Sequence, residues 1–278
     1  MAKIKLAASD LDGTLLTSSK EITKRLYAAL EKINSVGIYF VPSTGRVYNS
    51  LPKSVKELPF LKYVITSNGA SVYDAEKKRD IIKNFLPPSA VDKTFEMIKN
   101  LDVVTEIFMN GKAYIDKAVF ENLEGYGITG WSAEYVLSTR TPVESVYKKA
   151  MAEKDSLENI NIIFNNPSLR IETWENLRKM NFASVTSSSP NNIEVTSLSA
   201  TKANALKSLC SLLGIERENV VAFGDSDNDL DMILFAGTGV AMANGQEHIK
   251  QAADIITKDC DNFGVAEILE KITEKGEI

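Results

Sequence analysis

Histidine and cysteine are almost missing from this chain. One histidine, His248, excludes a multi-histidine metal centre and allows a Ser-His-Asp triad only through itself. It lies in GQEHIKQAAD, a polar helical stretch where its side chain is expected to be solvated. The two cysteines, Cys210 and Cys260, lack the short spacing of a metal site, and a reducing compartment keeps such residues as packing thiols. A basic surplus is also lacking: 32 Lys and Arg against 37 Asp and Glu leave a net charge of −5. The basic residues alternate with acids instead of forming the stripe that a polyanion requires. No nucleic-acid partner is therefore expected, whereas small anions stay open as ligands. No apolar run approaches the ~20 residues that span a bilayer, and MAKIKLAASDLDGT holds too few apolar residues before its first acid for a signal-peptide core. These absences read as a cytoplasmic protein with no membrane partner. Repeats, low-complexity tracts and like-charge blocks are missing too.

What the chain does contain is ordinary soluble material, with 278 residues, 44% hydrophobic and 25% charged. That length suits one large domain or two moderate ones. IKLAAS (4–9) is a nearly continuous apolar run, as in a strand covered on both faces. EITKRLYAALEKINSVG spaces Ile22, Leu26, Leu30 and Ile33 for a helix that stops at Gly37. IYFVP (38–42) predicts a second strand, TGRVYNSLPKSVKEL a helical return, and YVIT (63–66) a third strand of one parallel sheet. A similar series closes the chain: a helix from Lys202 to Leu213, strand NVVAFG, helix NDLDMILFA, strand TGVAMA, helix QEHIKQAA, strand DIIT and a last helix. Between Pro87 and Ser189 the texture becomes α+β, with short strands VVTEIFM, KAYID, NINIIFN and FASVTSS and a two-residue turn at Asn110-Gly111. FLPPSA and TSSSPNN read as hinges. The predicted fold is α/β, a Rossmann-like parallel-sheet core (1–85 plus 190–278) with an inserted α+β cap (86–189).

Ligands of open parallel sheets bind beyond the carboxyl ends of the strands, and there the sequence is chemically loaded. Asp10, Asp12, Gly13 and Thr14 follow the first strand, Ser43, Thr44, Gly45 and Arg46 the second, and Asp225 to Asp229 follow NVVAFG. Asp10 and Asp12, at i and i+2, project to one side. Like charges this close need a cation or a shared proton, and Asp225 and Asp229 add to the crowding. All-oxygen donors favour Mg²⁺ over Zn²⁺. The remaining groups suit a phosphate: the Thr44 hydroxyl, backbone N–H groups of Thr44 and Gly45 near a helix start, and the Lys202 ammonium. Asp10 then faces phosphorus as an oxygen nucleophile, and Asp12 is placed to protonate the departing alkoxide and to activate water. Each piece alone reads blandly, as a turn, a loop or a solvated charge; their order along one sheet edge does not.

The same residues carry a resemblance. SDLDGTLL (9–16), STGR (43–46), SNGA (67–70), TKANAL (201–206), GDSDNDLDM (224–232) and GVAMANGQEHIKQAADIIT (239–257) resemble, in order, the motifs of the haloacid dehalogenase-like hydrolases, and among them the Cof-type sugar phosphatases with a type IIB cap. The resemblance implies Asp10 as nucleophile, Asp12 as general acid and base, and Thr44 and Lys202 on the phosphate. It further implies Mg²⁺ held by Asp10, the Asp12 backbone carbonyl and Asp225, with Asp229 and Asn228 supporting the metal shell and Lys202. Pro42-Ser43 stands where a small apolar pair is more usual, and Ala203 where Gly often follows the lysine. The implied activity is hydrolysis of a small phosphorylated metabolite, a sugar phosphate; monomer and homodimer both stay open, because the sequence hides the oligomeric state. A phosphomutase shares these residues, and a non-catalytic phosphoacceptor shares the acidic pocket but gains nothing from Asp12. Asn68, Gly69 and Asn244 are candidates for shaping the phosphate site. Asp227 and Asp231 read as solvated acids, and Trp131 and Trp174 as cap core.

Overall fold

The structure is a computed structural model that describes residues 3–187 and 189–275. It divides into two compact units, one built from the chain up to Arg46, Leu51–Lys83 and the chain from Thr201, the other from Val47–Ser50 and Asn84–Ala200. In chain order the strands are β1 (Leu6–Ser9), β2 (Tyr39–Pro42), β3 (Tyr63–Thr66), β4 (Ser71–Asp74), β5 (Arg79–Lys83), β6 (Val103–Met109), β7 (Lys112–Asp116), β8 (Arg140–Val143), β9 (Leu157–Phe164), β10 (Ser184–Thr186), β11 (Asn192–Thr196), β12 (Val220–Gly224), β13 (Thr238–Met242) and β14 (Ile255–Thr257). Among the described residues no helix is long and apolar enough to cross a membrane.

The first unit is built on a five-stranded parallel sheet in the order β14-β13-β12-β1-β2. Its central strands LAAS and VVAFG are buried throughout, which is why they read as continuous apolar runs. Leu26, Ala29, Leu30 and Ile33 form the buried stripe of helix Lys24–Ser35, whose first turn is capped by the Thr23 side chain. Helix Lys202–Leu213 starts at Thr201, which accepts from the Asn204 N–H, and ends at Gly214 with φ 64°. This fixes Lys202 as the first helical residue.

Strand β3 departs from expectation. It pairs antiparallel with β4 in a separate sheet β3-β4-β5, and one bridge, Ser43 to Ile65, links it to the end of β2. Ser67, Asn68 and Gly69, all at positive φ, turn the chain back so that β4 takes the hydrogen bonds of β3. The predicted helical return is a single 3₁₀ turn, Tyr48–Ser50, and a four-residue helix, Lys53–Lys56; Pro52 between them cannot extend a helix through its missing N–H.

The second unit holds a six-stranded sheet in the order β10-β11-β9-β6-β7-β8, antiparallel except for β7 with β8. Asn110 and Gly111, at φ 52° and 70°, make the tight β6–β7 turn. Ile107, Met109, Ile160, Ile162, Ile193 and Val195 turn one face of the sheet into an apolar core with helices Pro88–Ile98, Val146–Ala152 and Pro167–Lys179. Val47 packs with Phe108 and Ala113, and the Asn49 N–H donates to the Gly111 carbonyl, which stitches the short segment Val47–Ser50 into this unit. Strand β11, placed in the core by a boundary at 190, belongs here through its ladder with β9. TSSSPNN is accordingly the β10–β11 connection instead of a hinge: Asn192 Oδ1 accepts from Ser189 N–H and Ser187 Oγ, while Ser188 lies outside the described residues. FLPPSA runs into helix Pro88–Ile98, with proline in its first turn. Trp174 packs against the apolar core. Trp131 does not: it is 66% exposed and stacks on Tyr135 at 5.3 Å.

Candidate active site

Strand β1 lies between β12 and β2 and delivers DLDGT to the carboxyl edge of the sheet. The Asp10 N–H extends the ladder to the Phe223 carbonyl at 3.0 Å. Leu15 and Leu16 N–H then return to the Asp10 and Leu11 carbonyls, which buries Leu11, Leu15 and Leu16 beneath the turn. Gly13 has φ 92°, and a Cβ there would stand 2.7 Å from Asp225 Oδ2. Glycine is therefore required both by its backbone and by the neighbouring carboxylate. Thr14 Oγ1 donates to Asp225 Oδ1 at 2.8 Å, and Ser226 Oγ to Asp225 Oδ2 at 3.0 Å.

The Asp225–Asp229 loop is held by Asp229, which is fully buried. Its Oδ2 accepts the N–H groups of Asp225 (3.0 Å) and Ser226 (3.1 Å), and a side chain at Gly224 would overlap it. Its Oδ1 accepts from Lys202 Nζ at 2.6 Å, and the same ammonium donates to Asp10 Oδ1 at 2.6 Å. The lysine is buried and acts as a shared cation between two acids contributed by β1 and by the loop after β12. Asp10 Oδ2 accepts no hydrogen bond among the described residues.

Burial pushes the Asp10 carboxyl up to about 7; Lys202 opposes this, and the Asp229 and Asp225 charges reinforce it. Burial also raises Asp225, aided by Asp229. For Lys202, burial favours the neutral amine, but the Asp10 and Asp229 carboxylates reverse this and hold it protonated well above the usual range. Asp10, Asp225 and Asp229 bring carboxylate oxygens within 4.8 Å of one another. Three acids around one ammonium leave surplus negative charge in a buried, all-oxygen setting, and this donor set fits a hard divalent cation. Since both Asp229 oxygens are already engaged, Asp10 and Asp225 are the carboxylates best placed to hold it.

The Asp12 carboxylate turns away from this cluster. Arg46 Nε and Nη2 grip its two oxygens at 2.7 and 2.9 Å, and Lys20 Nζ meets Oδ1 at 2.9 Å. Burial alone would raise Asp12, but the Arg46 and Lys20 contacts outweigh it and hold the carboxyl below its usual range. A metal role for Asp12 would thus fall to its backbone carbonyl, as the resemblance implies. Sequence reading missed this clamp. Arg46 carried a signal, because it directly follows Thr44-Gly45, whereas Lys20 carried none beyond its charge.

Thr44 ends β2 and is buried. Its N–H is committed to the Ile65 carbonyl, and its Oγ1 accepts from the Arg46 N–H at 3.2 Å. No α-helix begins here, so the anticipated helix-start N–H donors reduce to Gly45. A side chain at Gly45 would crowd Asn68 Oδ1 at 3.1 Å. Asn68 Oδ1 also accepts from Asn228 Nδ2 at 3.0 Å, which places exposed Asn228 beside the 67–69 turn. A side chain at Gly69 would overlap the Thr201 carbonyl, so that turn packs on the start of the Lys202 helix. Ser43 Oγ is buried with no hydrogen-bond partner among the described residues. Asn244 bridges two loops, donating to the Gly13 carbonyl at 2.8 Å and accepting from the Cys260 N–H at 3.1 Å. His248 and Asp227 pair at the surface, Nε2 to Oδ1 at 2.7 Å. The Cys210 thiol is buried, and burial pushes it up to about 11.

Residues 7–269 match the family model described as haloacid dehalogenase-like hydrolase. The chain belongs to that family. Relatives of this hydrolase include 5-amino-6-(5-phospho-D-ribitylamino)uracil phosphatase YcsE of Bacillus subtilis (strain 168), 31% identical over 96% of this chain and 94% of the relative. Phosphatase YwpJ of the same organism is 30% identical, with 97% of this chain and all of the relative covered. Among solved structures, a haloacid dehalogenase-like hydrolase from Bacteroides thetaiotaomicron is 29% identical and superposes with a TM-score of 0.83 over 97% of this hydrolase and the whole of that chain.

Proposed function

We propose that this hydrolase is a Mg²⁺-dependent phosphatase that releases phosphate from a small phosphorylated metabolite, a sugar phosphate or related phosphomonoester, through an aspartyl-phosphate on Asp10. The observation that carries this reading is the Asp10–Lys202–Asp229 arrangement: one Asp10 oxygen is tied to the ammonium while Oδ2 accepts no hydrogen bond among the described residues. That division holds the carboxylate in one orientation and leaves an oxygen to attack phosphorus. YcsE supports the substrate class, since its name is that of a phosphatase for a phosphomonoester on a ribityl chain.

Asp10 Oδ2 forms the bond to phosphorus as the ester oxygen leaves with a proton from Asp12. Water, deprotonated by Asp12, then attacks the acyl phosphate and regenerates Asp10. The Arg46 and Lys20 contacts hold Asp12 in the ionised form that the water step needs, and the proton that Asp12 takes from water in one turnover is the one it gives to the leaving oxygen in the next. Lys202, the Thr44 hydroxyl and the Gly45 N–H would hold the phosphoryl oxygens, with Asn228 and Asn68 beside them. Asp10, Asp225 and the Asp12 carbonyl would hold Mg²⁺, which supplies neutralisation of the phosphoryl charge. In this reading the unit containing residues 84–200 selects the leaving group and excludes water.

Asp10→Asn is expected to abolish phosphate release from p-nitrophenyl phosphate, and appreciable turnover by that variant would refute the nucleophile. With sugar monophosphates, free phosphate is expected; isomer formation without phosphate would instead indicate a mutase.

A further inference from the structure

The apolar face of the sheet in the second unit is interrupted at one place. Along β6 the side chains of Val103, Ile107 and Met109 turn to the core, and Thr105 falls among them in the same two-residue alternation. The β6–β7 register, which pairs Glu106 with Ile115, extends to set Thr105 opposite Asp116. Asp116 shares its face with Tyr114, which also packs on this core. A polar cross-strand pair thus stands on a face otherwise given to apolar packing, and both of its members are only half-buried.

Both residues line a cavity of about 950 Å³ whose other walls come mainly from helices Pro88–Ile98 and Val146–Ala152, a volume suited to a small molecule. The walls are largely apolar: Met97 and Met151 contribute, as do the rings of Phe95 and Tyr147, which meet edge to face at 5.6 Å. Five charged side chains complete the lining, and four of them are accounted for. Asp92 pairs with Lys154, and Glu96 with Lys99 at 2.6 Å. Lys93 lies over the Phe182 ring at 5.4 Å, and its place two residues before Phe95 turns it to nearly the opposite side of the helix. Asp116 is the exception. Its Oδ1 accepts the Val146 N–H at 2.6 Å, but among the described residues no Lys or Arg pairs with it, and the neighbouring Thr105 hydroxyl makes no hydrogen bond. One carboxylate is too few donors for a hard metal ion, and an anion would meet it unshielded. An organic ammonium ion fits: its N–H groups face Asp116 and Thr105, its charge is attracted by the aromatic rings, and its carbon body lies against the methionines.

We infer that the second unit binds a small organic ammonium ion, an amine on an apolar or aromatic body, in this cavity, with Asp116 as its counter-ion. Every residue invoked lies within that unit, and the inference does not rest on the phosphatase reading.

The test is an NMR titration of the full chain carrying methyl-labelled methionine, with phenethylammonium as the probe. The Met97 and Met151 methyl signals are expected to shift and saturate. Phenylpropanoate, which carries a similar body and the opposite charge, is expected to leave them in place. Asp116→Asn keeps an oxygen for the Val146 N–H and removes the charge; it should weaken phenethylammonium roughly ten-fold. Tyr147 is exposed, so Tyr147→Leu spares the core; it should weaken the probe by a smaller factor, about two-fold to five-fold, and carries the test should Asp116→Asn fail to fold. The inference is overturned if phenethylammonium gives no saturable shift, if it shifts only other methionines, if phenylpropanoate binds equally well, or if both variants bind the probe like the parent.

Discussion

Lys202→Met removes the ammonium that Asp10 and Asp229 share while keeping most of the stem volume, so the loss is electrostatic. Removing one partner of a buried pair costs about 3–5 kcal/mol, because the other charge stays buried without compensation. Here two carboxylates lose the same partner, but the Asp229 side chain keeps the two N–H groups of Asp225 and Ser226. Asp10, already raised to about 7, takes up a proton more readily still. The expected cost is therefore at the lower end, about 3 kcal/mol at pH 7.5. At roughly 2–4 °C per kcal/mol this becomes a fall of about 6–12 °C in the unfolding midpoint. The pH dependence has a definite sign. A carboxyl whose folded pKa lies above its ordinary 3.8 binds more protons when folded than when unfolded, so stability rises as pH falls between those two values. The variant should therefore lose less, relative to the parent, at pH 5.5 than at pH 7.5. Urea unfolding in EDTA at both pH values measures this. A penalty under 1 kcal/mol at pH 7.5, or one that grows at pH 5.5, would show that the lysine does not neutralise this pair.

The Asp12 clamp predicts that Arg46→Met moves the Asp12 titration, followed by carboxyl-carbon NMR, upward, because the largest opposing contact to burial is gone; an unchanged midpoint would mean that Lys20 suffices. Gly13→Ala should reduce turnover at least ten-fold while leaving the far-UV dichroism intact, since the added methyl group meets Asp225 Oδ2 at 2.7 Å in a backbone conformation that alanine disfavours. Full activity in that variant would remove Asp225 from the working site.

The parts legible in the sequence were those written in contiguous residues. LAAS and VVAFG announce buried parallel strands because both faces are covered, and the acids that follow them fall at the sheet edge by topology alone. What escaped depended on pairings set elsewhere in the chain. Strand β3 reads like its parallel neighbours, and its antiparallel ladder is decided by the backbone of Ser67, Asn68 and Gly69. Strand β11 was passed over because Asn192, Glu194 and Thr196 interrupt its apolar pattern, although Ile193 and Val195 face the core between them. The grip of Arg46 and Lys20 on Asp12 joins three stretches of chain, and no local spacing encodes which cation meets which acid.

The four-residue stitch Val47–Ser50 has a practical consequence for taking the molecule apart. Because Val47 is buried against Phe108 and Ala113, cutting out 84–200 alone would strand an apolar side chain whose packing partners had gone. Transplanting the inserted unit onto a sister scaffold would likewise demand a double graft, both pieces exchanged together, so recombination at a single pair of breakpoints cannot move this module intact.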